Sequence, residues 1–369
     1  MSTKTMLLNN VTAIDVGFLT DRGVFGASVR PSFLITGEMS EDEQVVVDFS
    51  TIKKSIKDLI DHKELGIDHK TIVIGNCRKE LSAEEGDNTI RVVMDGPEGG
   101  AVCMDAPVDA FVFLEDRCPG ILSTDWNTKG KPLVDTLTVG RYGTLVAAER
   151  FVIPLVQELL SRELPKHFLG LTDIKVFYNM DVTTPVQPSH VRANATFKDA
   201  DHNPLSDMQV EDSIRITYSH GLPRSTSWGC QNIVHGHVSV VTLALPHARV
   251  ERASKILQDI RHDLAGKYLV AERDVLPAVV EPAEEGEEQA QPQGTWVGFE
   301  SMSRGPFSLF LPYGDTQIKV MPTDTTVENI AQYIWDTHVQ PAIEAYELTD
   351  VSMYVSEGLD KGAFIRQQA

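Results

Sequence analysis

The sequence lacks the features that mark secreted and membrane-spanning proteins. It has four cysteines in 369 residues and no CxxC pair, which argues against a disulfide framework and favours reduced thiols. No apolar run approaches the roughly 18–20 residues that cross a bilayer. The N-terminal stretch "MSTKTMLLNNVTAIDVGFLT" has neither the charge nor the length of a secretory signal. We therefore expect a cytoplasmic protein that makes no membrane contact.

Basic residues are also scarce. Lysine and arginine total 33 against 53 aspartates and glutamates, which gives a formal net charge of −20. Binding to phosphate backbones needs a basic face, so we expect no nucleic-acid partner and no anionic membrane surface. A small anionic substrate is still compatible with this charge if basic residues gather locally. The hydrophobic content of 42% and charged content of 23% are those of a globular protein.

The clearest feature that is present is a weak internal duplication. Each half has long strands, an amphipathic helix, further strands, a second helix and a final strand. In the first half, a hairpin precedes the helix "DFSTIKKSIKDLID", with Ser50 as its predicted N-cap, and Pro154 is expected in the first turn of the second helix. In the second half, the two helices are "RVERASKILQDIRHDLA" and "TVENIAQYIWDTHV". We predict an α+β protein with two tandem domains, residues 1–200 and 205–369.

One segment interrupts this pattern. "VEPAEEGEEQAQPQG", residues 280–294, is rich in Glu, Pro, Gln and Gly and has little apolar surface to bury. Its composition predicts a mobile loop inside the second half, and an acidic interaction peptide is the alternative.

Three histidines cluster around the strand "HVSVVTLAL". His235 and His237 are two residues apart, and side chains at that spacing share one face of a strand. His220 ends the preceding strand, where a hairpin partner would face the pair. Three neutral imidazoles leave an open fourth position on Zn²⁺, which is typical of a catalytic zinc site. The alternative is a set of ordinary surface or core histidines that bind no metal.

Cys230 lies between these histidines, after the flexible "PRSTSWG". Three roles fit the residue type: a small buried hydrophobe, a fourth zinc ligand, or a base on the substrate. The last role requires a neighbouring histidine that keeps the pKa of the thiol low.

The order "SH…GC…HGH", then "PTDTTVENIAQYIWD", then "MYVSEG" resembles the 6-pyruvoyl-tetrahydropterin synthase and 6-carboxytetrahydropterin synthase family. The resemblance covers most of residues 211–369. It implies three zinc-ligating histidines, a catalytic cysteine, a Thr-x-Glu-Asn helix start and a pterin-anchoring glutamate on the last strand. The implied residues are the zinc ligands His220, His235 and His237, the base Cys230, and the substrate-binding residues Glu357, Thr326 and Glu328.

The same resemblance calls for an Asp-His pair after a "DF…K" helix, and the second half has none. The first half has this segment in "EQVVVDFSTIKKSIKDLIDHKELGIDHKTIVIGN". Two pairs compete: Asp61-His62 in the last turn of the helix, and Asp68-His69, which fits the position after the helix better. Conversely, the first half has "FGA", with Phe25 and Ala27, where the second half has "HGH". Each half lacks what the other keeps.

The implied fold is the tunnelling fold, an antiparallel four-stranded sheet with two helices on one face. Copies of this fold assemble through sheet edges into a barrel and form active sites at their interfaces. A fused pair implies a homo-oligomer, with three chains forming a pseudo-hexamer. The shared site is compatible with residues of one chain or of two.

The implied activity is that of a zinc-dependent lyase acting on 7,8-dihydroneopterin triphosphate. The short loop "WGCQNIVHGH" favours the 6-carboxytetrahydropterin synthase branch, which belongs to 7-deazaguanine (queuosine-type) biosynthesis. The alternatives are triphosphate elimination by a 6-pyruvoyl-tetrahydropterin synthase, an inert pterin-binding or scaffold protein, and an unrelated zinc hydrolase. In the hydrolase, Glu357 would be the carboxylate near the metal. Arg224 and the lysines after Asp48 are candidates for triphosphate binding.

Overall fold

The computed structural model describes residues 3–39, 45–81, 88–96, 100–118, 148–178, 209–246, 250–277, 294–301, 304–312, 314–359 and 361–367. The predicted junction between the two domains, residues 200–205, lies outside the described residues, and so does nearly all of the acidic segment 280–294. The strands are β1 (Thr3–Leu8), β2 (Ile14–Thr20), β3 (Gly23–Val29), β4 (Pro31–Glu38), β5 (Thr71–Val73), β6 (Arg78–Leu81), β7 (Thr89–Asp95), β8 (Ala101–Pro107), β9 (Phe111–Phe113), β10 (Leu171–Tyr178), β11 (Gln209–His220), β12 (His235–Pro246), β13 (Tyr268–Ala271), β14 (Thr295–Ser301), β15 (Gly305–Leu311), β16 (Ile318–Met321), β17 (Ser352–Glu357) and β18 (Lys361–Arg366). The α-helices are α1 (Phe49–Ile60), α2 (Leu114–Arg117), α3 (Ile153–Glu163), α4 (Val250–Leu264), α5 (Val327–Ile334) and α6 (Gln340–Tyr346).

The same order of strand pairing recurs in the two halves. In the first half, β4 pairs with β10, β2 pairs with β3 and runs parallel to β5, and β5 runs parallel to β9. In the second half, β12 pairs with β17, β11 pairs with β12 and runs parallel to β13, and β13 runs parallel to β16. The molecule is therefore a mixed α+β protein whose halves repeat one pairing scheme.

The detail of a four-stranded antiparallel sheet in each half is not confirmed. The first half divides its strands between the sheets β1-β4-β10 and β3-β2-β5-β9, and the second half forms β16-β13-β11-β12-β17-β18. The parallel pairs arise because helices α1 and α4 carry the chain back before β5 and β13 begin, as a crossover helix does. These short strands, three and four residues long, give too little alternation to be read from the sequence.

A fourth sheet joins the two halves. Its order is β14-β15-β8-β7-β6, and β8 of the first half pairs with β15 of the second. Beneath it lies a shared core to which both halves contribute, including Leu19 and Val92 from one and Val234 and Leu309 from the other. Two further cores belong to one half each, so the molecule has three apolar clusters in all among its described residues.

The long helices agree with the sequence pattern. Ile52, Ile56, Leu59 and Ile60 of α1 are buried, and so are Ile256, Leu257, Ile260 and Leu264 of α4 and Val327, Ile330, Ala331 and Ile334 of α5. Pro154 stands in the first turn of α3, as predicted. The N-cap of α1 is Asp48 rather than Ser50, because the Asp48 carboxylate accepts the Thr51 N–H at 2.8 Å. No helix in the described part of the chain is long and apolar enough to cross a membrane.

The two halves cross each other at a pair of glycines. Gly26, the centre of "FGA" on β3, lies against Gly236, the centre of "HGH" on β12. A Cβ atom on Gly26 would lie 2.0 Å from the carbonyl oxygen of Tyr218 and 2.7 Å from the Gly236 Cα. Only glycine allows backbones to approach this closely. The crossing brings the first half against the strand that carries two of the predicted metal ligands.

Candidate metal centre and thiol–histidine pair

The three predicted zinc ligands lie together in the interior. His220 is directly opposite His235 in the β11–β12 pair, and His237 follows two residues later on the same face. Their ring centroids are 4.6, 5.0 and 5.3 Å apart, and a ligand nitrogen from each ring lies within 4.8 Å of the other two. All three side chains are buried.

The surroundings of two imidazoles leave one nitrogen of each ring available to a metal. Nδ1 of His220 lies 2.9 Å from the Thr325 carbonyl oxygen, and Nδ1 of His235 lies 3.0 Å from the Asn232 carbonyl oxygen. The Nδ1–H groups donate to these oxygens, so each Nε2 carries the lone pair. No described residue is hydrogen-bonded to Nε2 of His220, His235 or His237. Buried nitrogens without partners, aimed at a common space, fit a tetrahedral zinc ion with an open position.

Burial also keeps two of these histidines neutral. It lowers the pKa of His220 to about 3, and it lowers the pKa of His235 well below the usual range for histidine. Neutral imidazole is the form that binds a metal. The two side chains therefore need not lose a proton to become ligands.

Cys230 lies beside this cluster rather than within it. Its sulfur and nitrogens of His69 and His235 lie within 4.8 Å of one another, whereas the trio of His220, His235 and His237 does not include it. This arrangement differs from a four-ligand His₃Cys zinc site, which was one of the alternatives from the sequence. Gly229 permits the contact, because a Cβ there would lie 2.8 Å from the Cβ of His69.

Asp68 and His69 come from the first half and meet the Cys230 loop of the second half in the same chain. Nδ1 of His69 is 2.6 Å from Oδ2 of Asp68. Asn232 links the Cys230 loop to the first half, since its side-chain amide donates hydrogen bonds to the carbonyl oxygens of His69 at 3.1 Å and Ala110 at 3.2 Å. The competing pair lies elsewhere: Asp61 and His62 are exposed at the end of α1.

The electrostatics of this pair favour a thiolate next to an imidazolium. Burial lowers the pKa of His69, but the hydrogen-bonded Asp68 carboxylate raises it more strongly, to a value well above the usual range. Burial raises the pKa of the Cys230 thiol, but the neighbouring His69 outweighs burial and lowers it. A lowered pKa makes Cys230 more readily present as the thiolate, which is the form that can take a proton from a substrate.

Glu357 faces the histidines from the end of β17. It is buried, with Oε1 at 3.8 Å from Nε2 of His237 and Oε2 at 2.8 Å from Nζ of Lys361. Burial raises the pKa of Glu357, but His237, His220 and Lys361 together lower it below the usual range. An ionised carboxylate therefore lies next to the histidine cluster.

Other candidates do not contact the cluster. Thr326 is the N-cap of α5 and accepts the Asn329 N–H at 3.4 Å, and the Glu328 side chain is exposed on the first turn. In the described structure, neither makes a hydrogen bond or ion pair with the three histidines. Arg224 is exposed and paired with Asp324 at 3.1 Å, and Lys54 and Lys57 pair with acids of α1.

Sequence reasoning missed several residues that hold the site in place. Thr325, Asn232, Asp15 and Ser28 all contact a predicted site residue or its neighbour. Only Asp15 had a visible signal, a charged residue inside the apolar strand "TAIDVGFL". The others are ordinary polar residues whose role depends on which strands cross.

Comparison with known proteins finds similarity to solved structures at low sequence identity and low TM-score. No protein-family model matches the chain, and no curated protein matches it. The chain is similar to solved structures of 6-pyruvoyl tetrahydropterin synthase from Plasmodium vivax, with 12% identity and a TM-score of 0.31, and from Plasmodium falciparum, with 13% identity and a TM-score of 0.28. Each match covers 44% of this chain and 99% of that chain. It is also similar to an uncharacterized protein from Wolinella succinogenes, with 12% identity, a TM-score of 0.28, and coverage of 43% and 98%.

Proposed function

We propose that this chain is a zinc-dependent enzyme of the 6-carboxytetrahydropterin synthase type that converts 7,8-dihydroneopterin triphosphate in 7-deazaguanine biosynthesis. The observation that carries the proposal is the meeting of Cys230 from one half with Asp68-His69 from the other, beside three buried histidines. Each half lacks part of this set, and the crossing of the halves completes it in one chain.

Three residues hold the metal in this proposal. His220, His235 and His237 would bind zinc through Nε2, which is not hydrogen-bonded to a described residue in any of the three rings. Zinc there would polarise a hydroxyl or carbonyl oxygen of the substrate and acidify the adjacent C–H.

Cys230 is the proposed base. As a thiolate it takes the proton of the acidified C–H, so an S–H bond forms and the bonding electrons stay on the substrate. As an imidazolium, His69 stabilises the thiolate before this step. It relays the proton afterwards by giving its own proton to the substrate and then accepting the one on the Cys230 sulfur, and Asp68 fixes the orientation of the imidazole. The logic is that of a base oriented by a third group.

Glu357 is the proposed pterin anchor. An ionised carboxylate accepts two parallel hydrogen bonds from an edge that presents paired N–H donors, and the pterin ring offers such an edge. Its ion-pair partner Lys361, four residues further along the chain, offsets the charge until the substrate arrives. The side chains of Thr326 and Glu328 stay proposed substrate contacts through the family resemblance alone.

The test is incubation of zinc-loaded protein with 7,8-dihydroneopterin triphosphate. We expect acetaldehyde and 6-carboxytetrahydropterin, detected by chromatography. A 6-pyruvoyl product would assign the triphosphate-eliminating activity instead, and absence of turnover by zinc-loaded protein would support an inert pterin-binding or scaffold protein.

Two variants test the residue roles in the same assay. Cys230→Ser and His69→Gln should each lower kcat by about 10²–10⁴-fold, the usual contribution of a positioned acid or base. Cys103→Ser is the matched control, because Cys103 is a half-buried free thiol on β8 away from the histidines. Full activity of His69→Gln would remove the relay from the mechanism.

The proposed assembly is a ring of three chains with pseudo-hexameric symmetry. Mass photometry of the intact protein should then give a species close to three times the 40.8 kDa chain.

A further inference from the structure

We propose that Asp15 of the first half is a positioning residue for the metal ligand His237. This inference rests on the proposed zinc site and adds a residue that the family resemblance does not supply. It assigns to the half that lacks metal-binding histidines a direct part in orienting one of them.

The side chain of Asp15 is buried and faces His237. Oδ2 of Asp15 lies 3.4 Å from Nδ1 of His237, and only 6% of the residue is exposed. Its other carboxylate oxygen accepts the hydroxyl of Ser28, whose oxygen in turn accepts the Val238 N–H at 3.0 Å. The carboxylate is therefore held in place by the strand beside it and by the strand that carries His237.

The other two ligands show what His237 lacks. His220 and His235 each have a carbonyl oxygen within 3.0 Å of Nδ1, which fixes the tautomer that leaves Nε2 free. No described residue is hydrogen-bonded to Nδ1 of His237, and Asp15 is the carboxylate that faces it. Metal-binding histidines commonly donate their second N–H to such a carboxylate, and loss of that partner costs about 10–100-fold in metal affinity.

The backbone of Asp15 holds the other part of the site. Its N–H donates to Oδ1 of Asp68 at 2.8 Å, and its carbonyl oxygen accepts the His69 N–H at 2.6 Å. His69 has a φ of 54°, in the left-handed region, so its conformation depends on such contacts. One residue therefore positions the relay pair through its backbone and a metal ligand through its side chain.

The test is the variant Asp15→Asn, which keeps the size and the backbone contacts but removes the negative charge. Zinc affinity is measured by competition with a chromophoric chelator, and the ligand field by the visible absorption of the Co²⁺-loaded protein. We expect zinc to bind about 10–100-fold more weakly, with altered Co²⁺ bands.

Asp263→Asn is the matched control. Asp263 is a partly buried carboxylate with partners on other elements, Lys319 at 2.7 Å and Tyr333 at 2.8 Å, none of them in the metal site. This variant should leave zinc affinity and the Co²⁺ spectrum unchanged.

The outcomes separate this inference from the proposed function. Unchanged zinc affinity and Co²⁺ bands in Asp15→Asn would overturn the inference even if the enzyme turns over the pterin. Weaker zinc binding without any pterin turnover by the parent protein would support the inference and reject the proposed function. If Asp15→Asn does not fold, Ser28→Ala decides: a severalfold loss of zinc affinity supports the role of the carboxylate, and no change overturns it.

Discussion

Lys70 illustrates how the site region places a charge in the interior. Its side chain is 1% exposed, and Nζ donates to the Glu64 carbonyl oxygen at 3.0 Å. Burial lowers the pKa of Lys70 to about 8, partly offset by Asp109 and reinforced by Arg304 and Arg117. The buried ammonium group opposes folding at neutral pH and ceases to do so once it loses its proton.

This effect predicts that stability rises with pH between about 8 and 10.5. In that window the unfolded chain still holds the Lys70 proton and the folded chain has released it, so the free energy of unfolding increases with pH. The full shift corresponds to on the order of 3 kcal/mol. Urea unfolding of the parent and of Lys70→Met at pH 7 and pH 10 measures this change. From pH 7 to pH 10, the free energy of unfolding of the parent should rise relative to that of the variant.

The exposed Lys4→Met serves as the control for lysine removal. A parent-to-Lys70→Met difference that stays constant from pH 7 to pH 10 would show that Lys70 keeps its charge in the folded protein.

At the scale of elements, the crossing of β3 over β12 is the contact that assembles the site. Gly26 and Gly236 let the strands approach, and Thr71 of β5 donates its hydroxyl to the Val234 carbonyl oxygen at 2.7 Å. Gly17 of β2 also lies against Val234, with a Cβ position 2.6 Å from its carbonyl oxygen. The strands therefore meet backbone to backbone, which leaves no room for a side chain at the crossing.

Gly26→Ala should accordingly lower the free energy of unfolding by at least about 3 kcal/mol, because its Cβ would clash with backbone atoms, which cannot move away by changing rotamer as a side chain can. It should also weaken zinc binding, since the backbone nitrogen of His237 lies 2.8 Å from that Cβ position and a shift of the backbone there would move the His237 ring. Gly266→Ala is the comparison: Gly266 has a φ of +73° and open space around it, so its cost is limited to about 1–2 kcal/mol. If urea unfolding shows that the two variants lose the same free energy of unfolding, the strands at the crossing are less tightly packed than the distances indicate.

At the scale of the whole molecule, the two halves share a sheet and an apolar core. Leu309 pairs with Met104 across the β8–β15 boundary, and both are fully buried. Arg304 of the second half pairs with Asp109 of the first at 2.8 Å and lies 3.8 Å from the Trp228 ring, two residues before Cys230. The thiol loop is thus tied to the opposite half of its own chain.

This arrangement predicts no complementation between damaged chains. When chains carrying Cys230→Ala and chains carrying His69→Ala are dissociated and reassembled together, turnover of 7,8-dihydroneopterin triphosphate should stay at the level of each variant alone. The reason is that Cys230 and His69 meet within one chain. Recovery toward a quarter or half of the parent activity would place the shared site between chains.

The sequence by itself determined the long helices and the side chains available for metal binding and catalysis. Helical spacing gave the buried faces of α1, α4 and α5, and the i, i+2 rule put His235 and His237 on one face. These features depend on local periodicity, which is set by backbone geometry and read directly from residue order.

Only the tertiary structure decided which distant segments meet. It placed Asp68-His69 rather than Asp61-His62 at the thiol, brought them to Cys230 of the same chain, and set Asp15 against His237. These contacts join residues more than 150 positions apart, or oppose side chains across crossing strands. They depend on the glycine crossing and the shared sheet, because a close backbone approach is fixed by the packing of two halves and not by the pattern of either one.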